Sequence, residues 1–215
     1  MKTKKNKFFL WALWVLSIGI PFTIIVFPFF QNKIGSISAW SDVWPIISPM
    51  ILPAFMIGIT TALLQYLLLK STFFIGPQWF MLTMVGFSFG PIFSAVLTIT
   101  ILGIAYPKIM NSGGEHFLFF PGALSMILSG LVIGILQNNG IRYFFEEKPK
   151  ISARLLWVFL STLAWSLSFV TGSLMVVGQP RLQSMLAGIT IGLISGIFFI
   201  IIDKEKNYSI DQGLQ

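Results

Sequence analysis

Cysteine is absent from the 215 residues, histidine occurs once, and aspartate and glutamate together number seven. Without cysteine there is no disulfide, no thiolate metal site and no cysteine nucleophile, and nothing in the chain marks its redox compartment. So few acids and a lone histidine leave little from which to assemble a metal cage or a general acid–base pair. Charge is scarce overall: charged residues make up 10% of the chain, against roughly 25% in an ordinary soluble domain.

What fills the space is apolar. Hydrophobic residues reach 55%, with 22 phenylalanines and seven tryptophans, and the mean hydropathy is +0.85. They fall in long runs rather than at the alternating spacing of half-buried elements, which excludes a water-soluble globule. The fold class expected is all-α, a single transmembrane domain over 1–215 with the lipid bilayer as its first partner. The net charge of +7 does not point to nucleic acid, because the basic residues sit between apolar runs, where they orient a membrane protein.

Six runs are long enough to cross about 30 Å of hydrocarbon at about 1.5 Å per residue. They predict helices over 8–30, 46–69, 77–106, 117–137, 155–177 and 182–202. The first run also fits a secretory signal peptide, with 36–39 loosely like a cleavage site, but it outruns an h-region of about 7 to 15 residues and reads as a membrane span. Gly76-Pro77 reads as a helix start and Gly90-Pro91 as a kink within one tilted helix. With the amino terminus in the cytoplasm, Lys2, Lys4, Lys5, Lys7, Lys70, Arg142, Lys148, Lys150, Arg154, Lys204 and Lys206 fall inside, and only Lys33, Lys108 and Arg181 fall outside. Eleven plus three accounts for all 14, so six crossings with both termini cytoplasmic satisfy the positive-inside bias.

Within these runs a pattern recurs. Gly58, Ala62 and Gln65 in the second are matched by Gly130, Gly134 and Gln137 in the fourth, and by Gly188, Gly192 and Ser195 in the sixth. The spacing i, i+4, i+7 lies on one helical face. Trp79, Thr83, Gly86, Phe87 and Gly90 in the third run correspond without gaps to Trp157, Ser161, Ala164, Trp165 and Ser168 in the fifth. The chain therefore reads as a parallel two-helix repeat over 54–106 and 126–177, with a half repeat at 184–202. The small residues, extended by Ser184 and Gly196, are expected at helix contacts, because lipid supplies no hydrophobic force between helices and close backbone approach must do the work.

The combination Gly-x3-Gly/Ala-x2-Gln before a basic loop, then Trp-x3-Ser/Thr-x2-Gly/Ala-aromatic, resembles a group of small bacterial multi-pass membrane proteins. The likeness covers roughly 58–202; where the group often has tryptophan after the glutamine, this chain has Tyr66 and Asn138. It implies a six-helix or similar bundle in a bacterial plasma membrane and carries no known activity with it.

No Asp, Glu, Lys, Arg or His lies inside any of the six runs, which disfavours ion-coupled pumping and proton relays. No nucleophile, base and orienter are arranged together, so no catalytic centre and no cofactor are expected. Gln65 and Gln137 are the candidates for contact with a polar ligand, since an amide offers two donors and an acceptor oxygen where water is scarce; an interhelical hydrogen bond is the plainer reading. His116 follows Glu115 in an outer loop, too few ligands for a metal, with Asp42 the other acid on that side. Glu146 and Glu147 resemble the paired glutamates of CAAX-type intramembrane proteases, but Ile151 stands where that motif needs arginine, and a solvated loop accounts for the pair. Tryptophans are expected near helix ends as headgroup anchors, with Trp40 and Trp44 on a short surface helix.

The leading expectation is a non-enzymatic structural or accessory membrane subunit, packing with a membrane-protein partner or as a homo-oligomer through its small-residue faces. The rival is a carrier or binding subunit for a small uncharged solute held near Gln65 and Gln137. In size and topology that rival is similar to the substrate-binding subunits of energy-coupling-factor vitamin importers, although Ala12 is followed by Leu16 where those proteins usually repeat the alanine.

Overall fold

The structure, a computed structural model, describes residues 7–26, 40–70, 77–101, 115–141, 151–174 and 179–212. Those residues form six α-helices: α1 (Lys7–Ile24), α2 (Trp40–Lys70), α3 (Pro77–Ile99), α4 (Glu115–Asn138), α5 (Ile151–Leu174) and α6 (Pro180–Gln212). Four contain stretches long and apolar enough to cross a membrane, Val43–Leu68, Pro77–Ile99, Ile151–Gly172 and Pro180–Ile201; the apolar stretches Phe8–Ile24 and Gly122–Asn138 are shorter.

Several helix ends differ from the sequence expectation. The first helix stops at Ile24 rather than running to residue 30, with the Ile25 N–H bonding back to the Pro21 carbonyl at 2.8 Å to close the last turn. The second starts at Trp40, so Trp40 and Trp44 belong to α2 and not to a separate surface helix; Trp44 is 64% exposed. Pro45, Pro49 and Pro53 all lie in the first half of α2, where each removes one backbone donor without ending the helix. Pro77 opens α3 at the position where its missing N–H costs nothing, and Pro91 lies in its interior. Helix α6 continues past residue 202 to Gln212. Residues 102–106, the basic loop at 142–150 with Glu146 and Glu147, and Lys33 and Lys108 lie outside the described residues, as do the side chains of Glu115 and His116.

Each helix packs on its neighbour in the chain, α2 on α3, α3 on α4, α4 on α5 and α5 on α6, and α6 returns to pack closely on α1. A slighter contact between α1 and α2 completes a ring. Neighbours run antiparallel: Gly86 and Gly90 meet Ile133 and Ser129, Gly130 and Gly134 meet Trp165 and Val158, and Gly188 and Gly192 meet Phe22 and Val15.

Polar side chains are buried among the apolar core while many large hydrophobic ones are exposed, a pattern unlike that of a soluble protein. Gln65, Gln137, Thr61, Thr83, Ser88, Ser94, Ser125, Ser129 and Ser168 are buried, while Leu16, Leu52, Leu63, Phe89, Phe93, Leu131, Phe159 and Ile197 are exposed. In water such a surface would be a continuous aggregation patch; against lipid it carries no penalty.

Candidate functional site

The centre of the ring is aromatic. Trp14 of α1, Trp79 of α3 and Trp157 of α5 are buried and touch one another, with ring centroids 6.2 Å apart for Trp14–Trp79, 5.7 Å for Trp14–Trp157 and 6.0 Å for Trp79–Trp157. Phe198 stacks edge-on against Trp157 at 4.8 Å. Two helical turns further along the same three helices lies a second buried layer, in which Trp165 meets Phe87 at 5.6 Å and Phe22 at 6.2 Å. Tilted and edge-on contacts satisfy the ring quadrupoles, and such pairs contribute about 0.5–1.5 kcal/mol each beyond area burial. The sequence expectation of tryptophan anchors is thus corrected for Trp14, Trp79, Trp157 and Trp165: they sit towards helix ends or mid-helix, yet face inward. Trp11 is half-buried and donates to the Leu193 carbonyl at 3.2 Å.

Beside the indole layer runs a chain of neutral hydrogen bonds. Gln137 Nε2 donates to Thr83 Oγ1 at 3.0 Å, and Thr83 Oγ1 donates to Gln65 Oε1 at 3.5 Å. The two glutamines, from α2 and α4, are brought together by a threonine on the helix between them, and they are 0% and 2% exposed. On the opposite side of the indole layer Trp14 Nε1 donates to Ser195 Oγ at 2.9 Å, which itself donates to the Ile191 carbonyl at 2.6 Å. Buried side-chain atoms without a hydrogen-bond partner include Gln65 Nε2, Thr61 Oγ1 and Trp157 Nε1 here, and the hydroxyls of Ser88, Ser94, Thr98 and Ser125 elsewhere on α3 and α4. Leaving an N–H unpaired in such surroundings costs about 1–3 kcal/mol.

The glycines sit where helices approach most closely. A methyl group built on Gly130 would stand 2.7 Å from the Ser161 carbonyl oxygen and 2.7 Å from Thr162 Cα; on Gly134 it would meet Val158 Cα at 3.0 Å. On Gly58 it would meet Ser88 Oγ, with the Met84 carbonyl oxygen at 2.9 Å; on Gly188 it would strike Phe22 Cβ, and on Gly192 it would lie 2.8 Å from Val15 Cα. Gly86 and Gly90 make room for Ile133, at 3.5 and 3.0 Å, and Ala62 is fully buried. These faces are therefore occupied by helices of the same chain rather than left open to a second copy. Gly140, in the turn after α4, lies over the Trp79 ring, where an added methyl would come within 2.7 Å.

Trp14, Phe22 and Ser195 belong to the centre although residue spacing alone does not single them out as site residues. The signal was present: Trp14 and Phe22 have the same separation as Trp79 and Phe87 and as Trp157 and Trp165. It was masked because Ile18, Pro21 and Ile25 replace the small and hydroxylic residues between and beyond them. Surface depressions among the described residues include one of about 360 Å³ lined by Pro77, Gln78, Met81, Leu82 and Asn139, and one of about 510 Å³ lined by Val26 and residues 179–182. Among the described residues no group of three histidine, cysteine or acidic side chains is placed to hold a metal.

No protein-family model, curated protein or solved structure matches the chain. Fold and centre define a class all the same: an all-α protein with several candidate membrane spans, an apolar exterior suited to the bilayer and a neutral, aromatic interior.

Proposed function

We propose that the chain is a structural or accessory subunit of a bacterial plasma membrane, crossing it six times with both termini in the cytoplasm and performing no catalysis of its own. The observation that carries this reading is the filled centre, where three indoles meet and the two glutamines bond to one another through Thr83. Lys70 at the end of α2 and Arg154 in the first turn of α5 lie at the ring end that holds Trp79, and Arg181 lies at the other, in keeping with a cytoplasmic indole layer. In this reading the ring is three copies of one hairpin, α2–α3, α4–α5 and α6–α1, so that the half repeat ending the chain is completed by its first helix.

A partner would bind the lipid-facing surface, since the small-residue faces are used up within the chain. Native mass spectrometry on protein extracted with its lipids tests the role. A stoichiometric partner protein is the expected result, and the chain travelling alone with a soluble solute would overturn it. Cysteine-accessibility labelling at engineered positions near the two termini tests the topology, which requires both sites to react from the same face.

A further inference from the structure

The three hairpins are not equivalent where α1 meets α2. Between α3 and α4, Gly86 and Gly90 receive Ile133, and Thr83 accepts a hydrogen bond from Gln137. Between α5 and α6, Gly172 lies against Gln183 and Ala187; carried along both helices, that register aligns Ala164 with Ile191. In that register α1 presents Pro21 where the others have glycine or alanine, Ile25 where they have glycine or serine, and Ile18 where they have threonine or serine; α2 presents Thr61 where the others have isoleucine.

These changes place bulk where the other seams have small residues, and an aliphatic side chain where they have a hydroxyl. Proline and isoleucine cannot admit a neighbour as closely as glycine does, and the α1–α2 contact is the slightest of the six in the ring. Ile18 has no atom to accept the bond from Gln65 Nε2 that Thr83 accepts from Gln137. The result is two fully buried side chains, Thr61 and Gln65, one turn apart on α2 and both with an unpaired polar atom. Pro21 also has no N–H to give to the Ser17 carbonyl one turn earlier.

We propose that the α1–α2 seam is a binding site for a small uncharged molecule with a carboxamide or hydroxyl head and an apolar body. Its oxygen accepts from Gln65 Nε2, its head exchanges a bond with Thr61 Oγ1, and its apolar part lies against Ile18, Pro21 and Ile25. A charged head is excluded because no side chain of the seam can balance it at this depth. The inference rests on the three-hairpin arrangement but not on the subunit role.

The test uses the full chain in nanodiscs labelled with ¹⁵N-glutamine, reading the Gln65 side-chain amide signal, assigned through Gln65→Asn. Octanamide should shift that signal saturably, and octane, which lacks the head, should not. Acetamide acting as well as octanamide would mean a ligand supplied from water; octanamide acting alone would mean one supplied from the bilayer; both support the site. Ile18→Thr gives Gln65 the partner found between α3 and α4. It should move the signal without ligand and weaken octanamide binding at least tenfold. No saturable shift, an equal response to octane, or unchanged affinity in Ile18→Thr overturns the proposal. If Ile18→Thr leaves the ligand-free signal in place, the three-hairpin arrangement fails; if it moves the signal while octanamide stays silent, only the site fails.

Discussion

Helices α4 and α5 are consecutive in the chain, whereas α6 and α1 come from its opposite ends, yet the two pairs pack alike. Gly134 lies against Val158 as Gly192 lies against Val15, and Gly130 meets Trp165 as Gly188 meets Phe22. The glycine-bearing face of one helix and the aromatic-bearing face of the other decide the contact, and the loop that joins them does not. The pairs differ in their polar bonds. In α6–α1 the short Ser195 side chain takes the Trp14 N–H at 2.9 Å. In α4–α5 the longer Gln137 reaches back to Thr83 on α3 and leaves the Trp157 N–H without a partner. One position, filled by serine or by glutamine, thus directs its bond within a hairpin or between hairpins.

Substitutions can break this equivalence or sharpen it. The largest effect is expected from Gly130→Leu and Gly188→Leu, each driving a side chain into the facing helix at a cost of about 3 kcal/mol. Thermal unfolding in detergent should show similar losses for both, and a silent Gly188→Leu would end the equivalence of the two pairs. Next comes Thr83→Val, which removes both bonds of the glutamine chain; at about 0.6 kcal/mol for an interhelical bond in a membrane protein, roughly 1 kcal/mol should go. Because that chain joins α2, α3 and α4, hydrogen exchange at the ends of these helices should quicken while α6–α1 stays protected. Ser195→Ala should cost about 0.6 kcal/mol and, in contrast, loosen only α6–α1. The smallest effect belongs to the lipid face: Phe159→Ala should stay within about 0.5 kcal/mol, and a larger loss would place α5 in contact with something other than lipid.

Much of the centre could be read from residue spacing. The i, i+4, i+7 pattern puts Gly58, Ala62 and Gln65 on one face whatever that face touches, and the same holds for Gly130, Gly134 and Gln137. The direction of the tryptophans could not be read that way, because an indole near a helix end suits a headgroup zone and a packed centre equally well by composition. Trp79 faces inward beneath Gly140, and Trp157 packs on Trp14, Trp79 and Phe198, contacts that only the assembled helices provide. The helix ends at Ile24 and Trp40 were also hidden, since apolar run length marks where a helix can continue and not where Pro21 helps to close its last turn.

By itself the sequence determined that the protein belongs in lipid, that it is helical, and which residues on each helix share a face, because all three follow from run length and helical period. Only the tertiary structure decided that α1 closes the ring on α6, that Thr83 links the two glutamines, and that Gln65 Nε2 and Thr61 Oγ1 are buried without a partner. Contacts between helices distant in sequence depend on how faces match in space, and no local spacing encodes that match.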